Sequence, residues 1–205
     1  MRKTILILLC ASALISSVYA QQTSYRVGIK AGINYIHLEN YGKGLYSDFE
    51  ANPGYSIGAL FEYTRGGFLN YSITPEIVYT ESRTNVDLLY ITNCMATIQT
   101  IDIPLTFKLG LRLSKIFRPY VLANIYGSYM TTYYGKLFDM LDIDHTSSGA
   151  PINKLFFGVS TGMGFNLWCL QFEGRYRWNL VRINTDDYTA LKQMGLELSC
   201  AIYFN

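Results

Sequence analysis

From Tyr25 onward apolar and polar residues alternate with a period of two, and this alternation restricts the possible folds more than any other property of the chain. Successive side chains of an extended backbone point to opposite faces, so the pattern predicts strands with one apolar and one polar side. In the first segment Tyr25, Val27, Ile29, Ala31, Ile33 and Tyr35 alternate with Arg26, Gly28, Lys30, Gly32 and Asn34. The pattern recurs in residues 55–63, 71–80, 97–113, 119–131, 155–167, 170–181 and 193–204, which makes eight strands. The fifth fits least well, because Tyr120, Leu122 and Tyr126 share the polar side with Asn124 and Ser128.

Such strands close either into a soluble barrel with an apolar lumen or into a membrane barrel whose apolar face meets lipid. The composition of the two faces separates these cases. Within the strand limits every charge lies on the polar face: Arg26, Lys30, Glu62, Glu76, Asp102, Lys108, Arg112, Glu173, Arg175, Arg177 and Glu197. Most strand glycines lie there too, Gly28, Gly58, Gly158 and Gly164 among them, whereas Gly127 and Gly174 lie opposite. A solvated outer surface has little need of glycine, but the inside of a narrow barrel needs small residues opposite long ones. The polar face is therefore the lumen. Eight strands leave an interior just wide enough for side chains, so these charges are expected to pair with each other and fill it.

Aromatic residues on the apolar face gather at strand ends. Tyr25, Tyr63, Tyr71 and Phe204 mark one rim, and Tyr35, Tyr55, Tyr79 and Trp178 mark the other. Eight to ten residues separate the rims, which at about 3.3 Å per residue and a tilt near 40° spans roughly 20 to 25 Å. That is the height of the apolar band of an outer-membrane barrel, with an aromatic girdle at each interface. A packed soluble core has no reason to place large aromatics in two belts. The connections alternate in the same sense: residues 64–70, 114–118 and 168–169 are short, while 38–54, 81–96, 132–154 and 182–192 are long. Short turns belong on the periplasmic side and long loops outside.

The first residues carry an address. Met1-Arg2-Lys3 is a positive start, residues 5–15 form an apolar run too short to span a bilayer, and Val18-Tyr19-Ala20 offers a small-residue cleavage site. Cleavage is expected between Ala20 and Gln21, dividing the chain into a signal peptide, 1–20, and an integral outer-membrane barrel domain, 21–205. The mature chain then holds equal numbers of basic and acidic residues, which removes the footprint of a nucleic-acid binder. Its three cysteines, Cys94, Cys169 and Cys200, are too few and too odd for a disulfide framework.

Catalytic and metal chemistry find weak support. The chain has two histidines: His37 at the outer end of the first strand, and His145 in a long loop beside Asp142, Asp144, Ser147 and Ser148. A Ser/His/Asp site requires these groups within hydrogen-bond reach on a rigid frame, which a polar, turn-forming loop supplies poorly. The cysteines have no paired spacing with either histidine. No catalytic residue, metal ligand or cofactor is expected. A lipid-modifying enzyme or protease using the outer rim is the minority reading, and a narrow porin is the nearer rival. The loops also carry Tyr41, Tyr46, Phe49, Tyr133, Tyr134, Phe138 and Tyr188, a set suited equally to ligand binding and to packing on the rim.

Several short stretches, in order and spacing, resemble the porin-family, PorT-like outer-membrane barrels of Bacteroidetes. They are Gly28-Ile29-Lys30-Ala31-Gly32-Ile33-Asn34, Thr74-Pro75-Glu76 with Tyr79, Asp102-Ile103-Pro104-Leu105 with Lys108, residues 118–123, and Glu173-Gly174-Arg175-Tyr176. Pro75 and Pro104 fall inside strands, where a missing ladder donor suggests a bulge. The resemblance implies a structural or surface-interaction barrel, or one associated with transport or secretion. It also implies contact with outer-membrane lipid and lipopolysaccharide, and insertion by the barrel-assembly machinery, whose recognition signal the last strand resembles. The expected form is a monomer, with an unknown extracellular ligand or secretion component as its partner.

Overall fold

A computed structural model of the protein describes residues 22–40, 48–88, 91–114, 116–135, 154–181 and 191–204. Eight strands run in chain order: β1 (Gln22–Asn40), β2 (Asp48–Gly66), β3 (Leu69–Leu88), β4 (Ile91–Leu111), β5 (Phe117–Gly135), β6 (Leu155–Leu167), β7 (Leu170–Asn179) and β8 (Leu191–Phe204). Each pairs antiparallel with the next, and β1 pairs with β8 to close the barrel. Closure leaves no sheet edge along the paired wall, so the backbone ladder is satisfied without water.

The barrel is inside out relative to a soluble one. On β3 and β4, Ile77 and Ile103 are each 61% exposed, whereas their neighbours Glu76 and Asp102 are 2% and 1% exposed. Such an apolar exterior is compatible only with a lipid solvent. The fifth strand resolves in the same sense: Tyr120, Leu122 and Tyr126 are buried in the lumen, while Val121 and Ile125 face out.

Five of the strands are longer than the alternation implied. β1 to β5 run for 19 to 21 residues, while β6, β7 and β8 have 13, 10 and 14. Most of the expected loop at 81–96 is strand, and only residues 89 and 90 separate β3 from β4. Beyond the apolar band both faces of β3 carry polar residues, Thr80 to Asn85, so the alternation disappears while the hydrogen-bonded ladder continues. β7 stops at Asn179, short of the expected Val181 at the long-loop end, and β4 stops at Leu111, short of Leu113 at the short-turn end.

The prolines also depart from expectation. Neither Pro75 nor Pro104 sits at a bulge. Pairing of β2 with β3 skips from Leu60 and Glu76 to Tyr63 and Ile73, and pairing of β3 with β4 skips from Pro75 and Leu105 to Val78 and Asp102, each in unchanged register. Each proline costs its ladder local pairs and no more. The bulge in β2 lies instead between Asn52 and Tyr55, at Pro53-Gly54. A Cβ on Gly54 would meet the Glu81 carbonyl oxygen at 2.0 Å. The tight β2–β3 turn uses Gly66, whose φ of 132° disfavours a side chain.

Candidate functional site

The inward side chains form one chain of ion pairs running through the lumen. At the short-turn end Glu62, fully buried, accepts from Arg118 at 2.6 Å, from Lys108 at 3.2 Å and from Arg26. Lys108 also lies 3.4 Å from Glu173 and so links this group to the next. There Arg175 pairs with Glu173 and, at 2.6 Å, with Glu76. Lys30 bridges Glu76 at 2.7 Å to Glu197 at 3.4 Å. Arg177 completes the series between Asp102 at 2.8 Å and Glu197 at 3.6 Å.

Each buried carboxylate is also hydrogen-bonded by neutral donors, which the low dielectric of the lumen requires. Thr64 donates to Glu62 at 2.9 Å, Thr106 to Glu76 at 2.8 Å, and Thr80 and Thr100 to Asp102 at 2.9 Å each. Gln171 donates to Glu173 and Ser56 to Glu197. Threonine and serine recur on the polar face because strand positions there must supply a hydroxyl without bulk.

Three inward tyrosines complete the filling, and a glycine makes room for each. Tyr120 pairs across the sheet with Gly164, Tyr126 with Gly158, and Tyr203 with Gly28. A Cβ on Gly158 would lie 2.3 Å from the Tyr126 ring, and one on Gly164 would lie 2.7 Å from the Tyr120 hydroxyl. The hydroxyls then reach across the lumen: Tyr126 to Asn179 at 2.6 Å, Tyr120 to Glu173 at 3.1 Å and Tyr203 to Glu62 at 2.9 Å. Guanidiniums stack on two of these rings, Arg26 over Tyr203 at 4.0 Å and Arg177 over Tyr126 at 4.5 Å. Among the described residues, the mid-lumen cavity lined by Lys30, Asp102, Arg175 and Arg177 holds about 10 Å³. That is room for about one water.

Ten of the eleven expected lumen charges are therefore brought together. Arg112 stands apart from these ten, at the barrel mouth. β4 ends one residue before it, the Arg112 amide donates to the Phe68 carbonyl at 2.7 Å, and the side chain lines the mouth of the barrel. Its place is taken by Arg118, which the strand limit at Pro119 had excluded. Continuing the β5 alternation one step back through Tyr120 would have found it. Tyr203 and Gln171, also unanticipated, are even more strictly inward by the same count.

Both aromatic belts are present on the outer face. Tyr25 and Tyr63 are cross-strand partners with ring centroids 5.2 Å apart, and Tyr55 and Tyr79 lie 6.1 Å apart. Trp178 packs against Tyr176 at 4.6 Å. Tyr35, Tyr71 and Phe204 are exposed on the same face. Just beyond the Tyr55 and Tyr79 belt the outer face turns polar. Glu81 accepts from Arg83 at 2.6 Å, from Gln99 at 3.1 Å and from the Tyr55 hydroxyl at 3.3 Å. This cluster marks where apolar solvent ends.

Cys200 lies on the outer face, and Cys169 lies in the β6–β7 turn; both are free thiols. The expected cleavage residues Ala20 and Gln21 lie outside the described residues, as do His145 and the side chains of Tyr41, Tyr46, Phe49, Tyr134, Phe138, Tyr188 and Cys94.

The family model described as outer membrane protein beta-barrel domain matches residues 6–204. Among solved structures, Neisserial surface protein A (NspA) is 14% identical with a TM-score of 0.47, the match covering 89% of this chain and 99% of that one. Ail, the attachment invasion locus protein of Yersinia pestis, is 10% identical with a TM-score of 0.39, covering 87% and 98%. Ail in complex with the heparin analogue sucrose octasulfate gives 10% and a TM-score of 0.45, covering 88% and 99%. No curated protein matches the chain.

Proposed function

The chain belongs to the outer membrane protein β-barrel family, and from that premise we propose that it is a closed, non-catalytic barrel that holds its long-loop end at the cell surface for interaction. The observation that carries this reading is the occupied lumen. A continuous chain of buried ion pairs and three inward tyrosines occupy the middle of the lumen, where the cavity among Lys30, Asp102, Arg175 and Arg177 holds about 10 Å³. A porin needs a water-filled passage, which in this architecture takes about 16 strands. The long strands β1 to β5 support the surface role, because they carry the sheet well past the outer aromatic belt. The interacting partner, in this reading, is an extracellular ligand or secretion component. The barrel is a monomer inserted by the barrel-assembly machinery and bounded by lipid and lipopolysaccharide. The motifs that resemble PorT-like barrels favour a Bacteroidetes-type member of the family.

Planar-bilayer recording tests the closed lumen. Pure refolded protein is expected to give no large, stable conductance, and reproducible nanosiemens steps would refute the reading.

A further inference from the structure

We infer that the mid-lumen cavity is the binding site of one resident water molecule, held between β5 and β6 and locked in by the ion-pair chain. Two side chains that the chain leaves out point to it.

Asn124 and Ser160 are direct cross-strand partners on β5 and β6, and both line the cavity. They are 5% and 3% exposed, so bulk solvent does not satisfy them. Among the described residues, Asn124 Oδ1 and Ser160 Oγ have no hydrogen-bond partner. Buried polar atoms without a partner are costly and rare, and here two of them face one small space. Their neighbours on the inward face cannot supply the bond. Gly158 and Gly162 flank Ser160, their partners across the ladder are Tyr126 and Leu122, and the Tyr126 hydroxyl is committed to Asn179 at 2.6 Å.

Size and charge select the occupant. About 10 Å³ admits one water-sized molecule and nothing organic. Lys30, Arg175 and Arg177 line the cavity against Asp102 and Glu197. Both carboxylates are already paired, Asp102 with Arg177 at 2.8 Å, and Glu197 with Lys30 at 3.4 Å and Arg177 at 3.6 Å. A metal cation would therefore face three fixed positive charges. A halide would face two carboxylates and the Asn124 carbonyl oxygen, to which it can donate nothing. Water is neutral, donates to Asn124 Oδ1 and bonds the Ser160 hydroxyl in either sense. On the long-loop side stands the Tyr126 ring, with the Arg177 guanidinium stacked 4.5 Å from its centre. The water thus joins the β5–β6 wall to the ion chain. This inference rests on the closed-lumen reading: conductance would refute both, whereas a dry cavity in a non-conducting barrel refutes the water alone.

The mature protein refolded in detergent supplies the test. A high-resolution crystal structure is expected to show one water within about 3.2 Å of both Asn124 Oδ1 and Ser160 Oγ. Crystals grown in bromide or rubidium salts are expected to show no anomalous scattering there. In solution, nuclear magnetic resonance is expected to give a cross-peak between water and the Asn124 side-chain amide protons, with the sign of a molecule that tumbles with the barrel. Ser160→Ala, checked for folding by heat-modifiable gel migration, is expected to weaken that cross-peak several-fold, and Gly127→Ala on the outer face to leave it unchanged. Should Ser160→Ala not fold, the crystal structure and the cross-peak of the unsubstituted protein decide by themselves. Any of four results overturns the inference: a direct hydrogen bond between Asn124 and Ser160 with no density between them, an anomalous peak from either salt, no cross-peak in the unsubstituted protein, or an undiminished one in folded Ser160→Ala.

Discussion

At the scale of single residues, burial decides what each lumen charge is worth. Arg175 is 2% exposed and holds two carboxylates, Glu76 and Glu173. Replacing it with methionine leaves both without their principal partner in a medium that screens them poorly. Arg175→Met is expected to destabilise the barrel by about 3 to 5 kcal/mol. Lys154→Met, at an exposed position, should change stability by about 0.5 kcal/mol or less. Urea unfolding in lipid vesicles measures the difference, and equal small effects at both positions would mean that water fills the lumen. Arg112 and Arg118 show how narrow the sequence evidence is at this scale. Both are arginines near the same turn, and a shift of each strand boundary by two residues left Arg112 at the mouth and brought Arg118 into the ion chain.

At the scale of elements, glycine and tyrosine act as cross-strand pairs. β6 offers Gly158 and Gly164 to the lumen, and β5 lays Tyr126 and Tyr120 across them. The absence of a Cβ on β6 is what lets each ring lie flat enough to cross toward β7. Gly158→Ala is expected to push Tyr126 off this position and to break its hydrogen bond to Asn179, at a cost of about 1 to 3 kcal/mol. Gly127→Ala makes a useful control. Gly127 faces outward, and a Cβ there meets the Phe157 ring at an ordinary 3.6 Å. Should thermal or urea unfolding rank the two substitutions equally, the tyrosine packing would not be what the glycine is for. Pro53-Gly54 illustrates a second element-scale rule. The bulge there accompanies a close backbone approach, whereas Pro75 and Pro104 lie in strands whose register does not shift.

At the scale of the whole molecule, an apolar exterior and a paired interior make one prediction about behaviour. The folded protein should fractionate with the outer membrane and migrate faster on gels before boiling than after, because a closed barrel resists detergent. Intact-mass analysis of that fraction is expected to find Gln21 as the first residue; a mass retaining residues 1–20 would remove the proposed cleavage. The alternation of side chains, the sorting of charge to one face and the aromatic belts are local properties. They determine strand number, barrel closure and which face meets lipid, because a strand's two-residue period ties every side chain to a side. Which arginine meets which carboxylate is not local. Lys30 and Glu76, or Arg175 and Glu76, are brought together by register and strand tilt across several strands. Strand length beyond the apolar band was equally illegible, since there both faces carry polar residues, as in 80–85, and composition no longer distinguishes them. The short-turn mouth combines both kinds of information. Each of these positions can be read near a strand end in the sequence, but only closure of the barrel gathers Arg26 of β1, Arg112 after β4 and Arg118 of β5 around one cavity, because these elements meet only when β1 pairs with β8.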